Sequence, residues 1–426
     1  MPTQKFHAPQ RRCVRPLIAA LAAMAGAGAW ADEPTPWYIG ASLTATHDSN
    51  VFRTSNGPGD SYLSSGLLGG FDQAIGRQRV FATANLRYNK YQEQSTLDNT
   101  SYGVNAGWDW ATIEKLTGNV SVNANQSLAS FDGNANIQSS SRNIVKADQV
   151  ATSVRWGGDS LVTLDANYAH SRVSYSAPEY LSGKSSADTG SVGGSYRLGP
   201  DLRAGAAVRL TRTVQPYAVA KTLTPTGPDD YLANTSNGRN LDLSLEWRYS
   251  AQTGVNTRLS WTKQTNSGTG DRDFSGLTGS IAANYAPTAK LGFSASLNRD
   301  AGTNSSFFNY LTLVNTGTIT GLSQNSQTSD TATLGATYAA TAKISVNAGY
   351  QYRHSKIVNT FSIGSSSSSD ELSDKLRSGT LGVSYAIARA WQLSCNLGRE
   401  TRNLSGTNGF SYSANTASCA ATLTLR

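Results

Sequence analysis

The sequence predicts an all-β protein: a transmembrane, antiparallel, up-and-down β-barrel of about 18 strands with short periplasmic turns and long extracellular loops. Three observations carry this expectation. Stretches of about ten residues alternate apolar and polar side chains, the length and period that a tilted membrane strand needs. These stretches are joined in turn by four- or five-residue turns and by long polar segments. An export signal stands in front of them.

That signal has the usual three parts. Lys5, Arg11, Arg12 and Arg15 form a basic start, Leu17 to Gly28 an apolar run of small residues, and Ala29-Trp30-Ala31 a small-residue cleavage site. Residues 1–31 are therefore expected to be a signal peptide and residues 32–426 the barrel. The segment is too short and wrongly flanked for a stable membrane helix, and no later stretch approaches the roughly 18 continuous apolar residues one needs. The expected destination is the bacterial outer membrane.

The composition fits such a barrel. Only alternate strand residues touch lipid, so 38% hydrophobic content and a mean hydropathy of −0.36 are compatible with a chain that lives in a membrane. The formal charge of +8 overstates the mature protein, because the first 31 residues carry four basic and no acidic groups; what remains is 32 basic against 28 acidic residues, or +4. This mild balance gives nucleic-acid binding no support.

The clearest hairpin runs from Leu241 to Tyr249, turns at Ser250 to Thr253 and returns from Val255 to Trp261. Period-two alternation puts Leu241, Leu243, Leu245, Trp247 and Tyr249 on one face and Asp242, Ser244, Glu246 and Arg248 on the other. The first set meets lipid, with the aromatic rings of Trp247, Tyr249 and Trp261 at strand ends where the membrane interface favours them. Related turns follow Tyr285, Tyr338 and Tyr385, and others fall at Arg197 to Asp201, Gly157 to Ser160 and Ile113 to Leu116. The longer connections include Asp48 to Ser61, Val214 to Ser236, Ala301 to Gln327 and Lys356 to Leu372. An even strand number leaves both termini in the periplasm, and about 18 strands are wide enough for an aqueous lumen.

The same alternation assigns a lumen face. Arg79, Arg87, Arg155, Arg203, Arg209, Arg248, Arg258 and Arg353 share parity with Ser, Thr, Asn and Gly, and so are expected to point inward. Asp72, Asp109, Asp165, Asp242 and Glu246 belong to the same set. Two interpretations follow: a lattice of ion pairs bracing the wall, or a basic track that attracts an anionic solute. Tyr62, Phe81 and Tyr91 are candidate stacking platforms for sugars. Cys395 and Cys419 have lipid-facing parity on consecutive strands, which allows either a cross-strand disulfide in an oxidising compartment or two separate small apolar residues. Cys13 leaves with the signal peptide.

Catalytic motifs are absent from the sequence. His47, His170 and His354 lie far apart, and no GxSxG elbow, HExxH pair, Walker loop or calcium-loop spacing occurs. His47-Asp48 is the one adjacent His/Asp pair and reads as a polar strand end. The chain is accordingly expected to be no enzyme and to use no cofactor or metal.

The segment Tyr38-Ile-Gly-Ala-Ser-Leu-Thr-Ala-Thr-His-Asp-Ser-Asn-Val-Phe-Arg53, followed by Gly76-Arg-Gln-Arg79, Leu97-Asp-Asn99 and Tyr102-Gly-Val-Asn-Ala-Gly-Trp108, resembles the EpsL-type outer-membrane proteins. These form a β-barrel porin family linked to exopolysaccharide biosynthesis loci of exosortase and PEP-CTERM systems. The resemblance implies a passive exit channel for polysaccharide, working with periplasmic and inner-membrane synthesis and export components among the outer-membrane lipids. A departure is the chain end Leu423-Thr-Leu-Arg426, which lacks the terminal aromatic common in bacterial barrels. A general diffusion porin for small hydrophilic solutes is the alternative, since strand rhythm alone serves either. An adhesin would carry longer repetitive loops, and an outer-membrane hydrolase would need a cluster the sequence does not show.

Overall fold

The computed structural model describes residues 35–131, 140–158, 160–224, 227–267, 273–304, 322–363, 366–405 and 411–426. The expected signal peptide lies outside these residues. The first strands are β1 (Trp37–Asp48), β2 (Asp60–Ile75), β3 (Gln78–Tyr91), β4 (Asn99–Ala111), β5 (Leu116–Leu128) and β6 (Ile144–Trp156). They continue as β7 (Val162–Tyr175), β8 (Ser185–Arg197), β9 (Leu202–Thr224), β10 (Gly227–Ser250), β11 (Thr253–Asn266) and β12 (Phe274–Thr288). The last are β13 (Leu291–Asn304), β14 (Leu322–Ala339), β15 (Ile344–Ile363), β16 (Ser366–Ala386), β17 (Trp391–Ser405) and β18 (Ser411–Leu425).

Each strand pairs antiparallel with its sequence neighbours, and β1 pairs with both β2 and β18, so the 18-stranded sheet closes without an edge. Closure satisfies every ladder without water, the condition for crossing hydrocarbon with strands. Short turns gather at one end with both chain termini. One of the two-residue turns joins Ile75 to Gln78, and there Gly76 has φ +62°, a left-handed conformation that costs a glycine nothing. Glycine also admits close approach inside the barrel: a Cβ on Gly107 would lie 2.3 Å from the Phe81 ring carried by the facing strand.

The outer face explains where the barrel resides. Leu241, Leu243, Val208 and Leu297 are more than half exposed with no other element to cover them. Counting from the short-turn end, no outward position in the first seven residues of any strand carries Asp, Glu, Lys or Arg. Trp37, Trp108, Trp156, Trp247, Tyr285 and Tyr338 ring this uncharged band near the short turns. An apolar belt all round a closed barrel, bordered by amphipathic rings, is a lipid-facing surface. The protein is an outer-membrane β-barrel.

Two long connections differ from their sequence assignment as loops. Much of 214–236 is paired strand of β9 and β10, and 356–372 continues the β15–β16 hairpin to Ile363 and Ser366. Backbone pairing needs no alternation of side chains once a strand has left the lipid, so the sequence pattern ends before the ladder does. Of the segment Ala301 to Gln327, β13 reaches Asn304 and β14 starts at Leu322; residues 305–321 lie outside the described residues. Cys395 and Cys419 face each other in the β17–β18 register on the outer face and are bonded, with Cα atoms 4.1 Å apart.

Candidate functional site: the lumen wall

Residues opposite each other in register share a face, so the ladders carry the inward set around the whole barrel. All eight sequence-assigned arginines lie on the face opposite the apolar belt, as do Asp72, Asp109, Asp165, Asp242 and Glu246. They do not behave alike.

Three of the eight are braced by carboxylates. Near the short-turn end Arg79 pairs with Asp72 at 2.6 Å and Asp109 at 3.6 Å, and its guanidinium lies 5.0 Å from the Phe81 ring centroid. Arg155 donates to Asp165 at 2.5 Å. Higher on the wall, Arg209 makes a forked contact with Asp242, Nε to Oδ2 at 2.8 Å and Nη2 to Oδ1 at 3.1 Å. The other five, Arg87, Arg203, Arg248, Arg258 and Arg353, make no ion pair with a described residue. Arg203 donates instead to the hydroxyls of Thr163 at 2.7 Å and Ser195 at 3.3 Å. The Nε atoms of Arg258 and Arg353 are buried against the wall and meet no acceptor among the described residues.

Between the arginines the wall is neutral and polar. Ser64 donates to Asn89, whose amide donates to Asn99 at 2.9 Å and Ser101 at 3.3 Å. The Asn105 amide donates to Asn123. Thr262 donates to Asn240 at 2.6 Å and, its one proton so used, accepts from the Thr278 hydroxyl at 2.8 Å. Such ladders hold side chains in place while leaving spare donors and acceptors toward the lumen.

Toward the long-loop end the wall becomes a packed structure that sequence reasoning missed. Asp48, Asn50 and Arg53 fold residues 48–54 upon themselves: Asp48 accepts the Asn50 amide at 2.9 Å, and the Asn50 side chain donates to the Thr54 carbonyl at 2.6 Å and to that of Ser413 at 3.1 Å. Arg53 sits at φ +54°, a conformation costing about 1 kcal/mol for a residue with a Cβ. It is held there by Asp48 at 2.9 Å and Glu400 at 3.2 Å. Burial by itself lowers the Arg53 pKa, but the two carboxylates more than offset this and leave it raised. Arg402, also missed, forms a forked pair with Asp374 at 2.8 Å and 2.8 Å, with side chains only 3% and 2% exposed. Its parity with Gln392, Ser394 and Asn396 was the available signal.

Val51, Leu97, Tyr91 and Phe131 make a buried apolar cluster beneath this loop. Beside it a recess of about 560 Å³ is lined by Asp48, Arg53, Tyr62, Arg87, Asn89 and neighbouring residues. Tyr62 and Tyr91 stack with centroids 4.7 Å apart, but Tyr91 is buried, so of this pair only Tyr62 presents surface. Phe81, the third expected platform, faces inward beside the Arg79 guanidinium.

All three described histidines, His47, His170 and His354, face outward. His47 faces outward and contacts Ser61 Oγ at 3.0 Å while Asp48 faces inward, so adjacency in sequence does not make a pair. His170 does meet a carboxylate, Asp188 at 2.8 Å, which also accepts from Tyr168 at 2.8 Å, all on the outer face. No group of three His, Cys, Asp or Glu residues suited to a metal occurs among the described residues.

No family model and no curated protein matches the chain. Solved structures similar to it include a mutant of the ferric enterobactin receptor PfeA from Pseudomonas aeruginosa, at 7% identity, covering 92% of this chain and 81% of that one with a TM-score of 0.45. The siderophore receptor PirA from Acinetobacter baumannii is similar at 7% identity over 92% and 81%, TM-score 0.44. The FrpB iron transporter from Neisseria meningitidis is similar at 9% identity over 92% and 82%, TM-score 0.43.

Proposed function

We propose that this barrel is an EpsL-type channel through which an exopolysaccharide passes from periplasm to cell surface, driven by synthesis behind it and not by the channel. One observation supports this reading above the others: five inward arginines, Arg87, Arg203, Arg248, Arg258 and Arg353, make no ion pair with a described residue, on a wall rich in Ser, Thr and Asn. An uncompensated cation in a wet lumen attracts anionic groups, while neutral hydroxyls and amides make weak, repeated hydrogen bonds to sugar. Contacts of this kind let a polymer enter without holding it. No step of bond chemistry is assigned to the wall. On this reading the partners are the polysaccharide itself and the synthesis and export components on its periplasmic side.

A general diffusion porin is the second reading, favoured by the packed fold of residues 48–54 and the Val51–Phe131 cluster at the long-loop end, where a constriction would be built. Polysaccharide partition in a clean deletion strain separates the two. Polymer lost from the surface and retained in the periplasm supports export; normal surface polymer with impaired uptake of small solutes supports the porin.

A further inference from the structure

Above the uncharged band the outer face changes abruptly. The outward positions lying 8–12 residues from the short-turn end carry Lys90, Lys146, Arg172, Arg212, Arg239 and Lys263 on β3, β6, β7, β9, β10 and β11. They continue as Arg299, Lys356, Lys375, Arg377 and Arg399 on β13, β15, β16 and β17. All are exposed. At about 3.3 Å per residue and a tilt of about 40°, these positions stand roughly 20–30 Å above the short turns, the upper border of an apolar band about 25 Å tall. The lower border has no such belt on its strands, where aromatic rings occupy the outward positions.

Acidic groups at this level are few, and each is engaged. Asp330 meets Arg299 at 3.7 Å, Glu371 meets Lys356 at 3.5 Å, Asp188 holds His170 and Tyr168, and Asp148 stands directly opposite Arg172. Two groups of cations remain without acidic partners among the described residues. In one, Arg239 stands directly opposite Lys263. In the other, Lys375, Arg377 and Arg399 crowd onto β16 and β17, with His354 directly opposite Lys375. Like charges placed opposite each other on a sheet repel; Arg377 has the Tyr352 ring 5.9 Å away on the facing strand, but no carboxylate among the described residues pairs with these cations.

We infer that this belt is a docking surface for the phosphate-bearing head groups of outer-leaflet lipid. Phosphate relieves the repulsion by lying between neighbouring cations, and the one-sided placement matches a bilayer with phosphorylated lipid at its outer border. Lys90 itself borders a largely apolar recess of about 600 Å³, lined also by Ala45, Leu63, Cys395, Leu397, Ala417 and Cys419, that offers room for an acyl chain of such a lipid.

The test is native mass spectrometry of the full chain in detergent with three probes: diphosphorylated lipid A, the same lipid with its phosphates removed, and inorganic phosphate. The diphosphorylated lipid is expected to be retained at least about tenfold better than the dephosphorylated one, in keeping with additive contributions from surface cations. Inorganic phosphate should compete only weakly. R239Q/K263Q/K375Q/R377Q/R399Q should abolish the preference, while K115Q/K290Q/K343Q at the short turns should keep it. If the fivefold variant fails to insert, D330N/E371Q, which frees Arg299 and Lys356, should strengthen retention. Equal retention of the two lipids, displacement of the lipid by phosphate at equal concentration, or unchanged retention by the folded variants would overturn the proposal.

Discussion

The long-loop end of the lumen and its middle use the same side chain differently. At the loop end Arg402 and Arg53 are forked onto Asp374, Asp48 and Glu400, and the Arg402–Asp374 pair is withdrawn from solvent almost entirely. In the middle and toward the short turns the use is mixed: Arg79, Arg155 and Arg209 are paired with carboxylates, whereas Arg87, Arg248, Arg258 and Arg353 face the lumen without an ion pair to a described residue. A buried, paired arginine holds strands in register; an unpaired one pays for itself only through what passes. The difference separates structural from working arginines on a wall where sequence parity makes them look identical.

The sharpest way to break that comparison is to orphan a buried charge. R402A leaves Asp374 buried without its partner and should cost about 3–5 kcal/mol, read as a fall in unfolding midpoint of the folded barrel. R402M/D374L, which removes both charges, should recover most of the loss. A result in which the single and double variants are equally unstable would mean that packing, not charge, holds this corner.

Reducing the bond between Cys395 and Cys419, or replacing both by Ala, should have a smaller effect, about 2 kcal/mol. The two strands are already registered by their ladder, so the bond closes a loop that pairing has largely closed. Smaller again is R53G. It loses the contacts to Asp48 and Glu400 but relieves the left-handed backbone, for a net cost of about 1 kcal/mol. Its signature should be local: faster proteolysis between Val51 and Gly59 with the barrel's unfolding midpoint nearly unmoved.

The sequence showed the wall and hid the loops. Alternation assigned Leu241, Leu243 and Leu245 to lipid and Arg203, Arg209 and Arg258 to the lumen, because a strand flips faces at every residue and a membrane punishes a slip. It also placed Cys395 and Cys419 on one face of neighbouring strands. It could not say which arginines find carboxylates, since Arg209 reaches Asp242 from 33 residues away and Arg53 reaches Glu400 from 347. Nor could it show that Asp48, Asn50 and Arg53 fold upon each other, which requires a positive φ at a non-glycine residue and a carbonyl from Ser413. Strand ends beyond the lipid were missed where 214–236 and 356–372 read as loops, because the apolar signal stops at the membrane surface while backbone pairing goes on.

The smallest effect on stability is expected for R203Q/R248Q/R258Q/R353Q, whose side chains form no ion pair with a described residue. The same four changes should have the largest effect on passage, so the direct measurement is ion selectivity of the single channel in a planar bilayer at low salt, wild type against this variant. A wild-type channel that favours anions, with the preference lost in a variant of unchanged stability, is the expected result. A cation-selective wild type, or a selectivity the four substitutions leave unmoved, would contradict the assignment of these arginines to the solute.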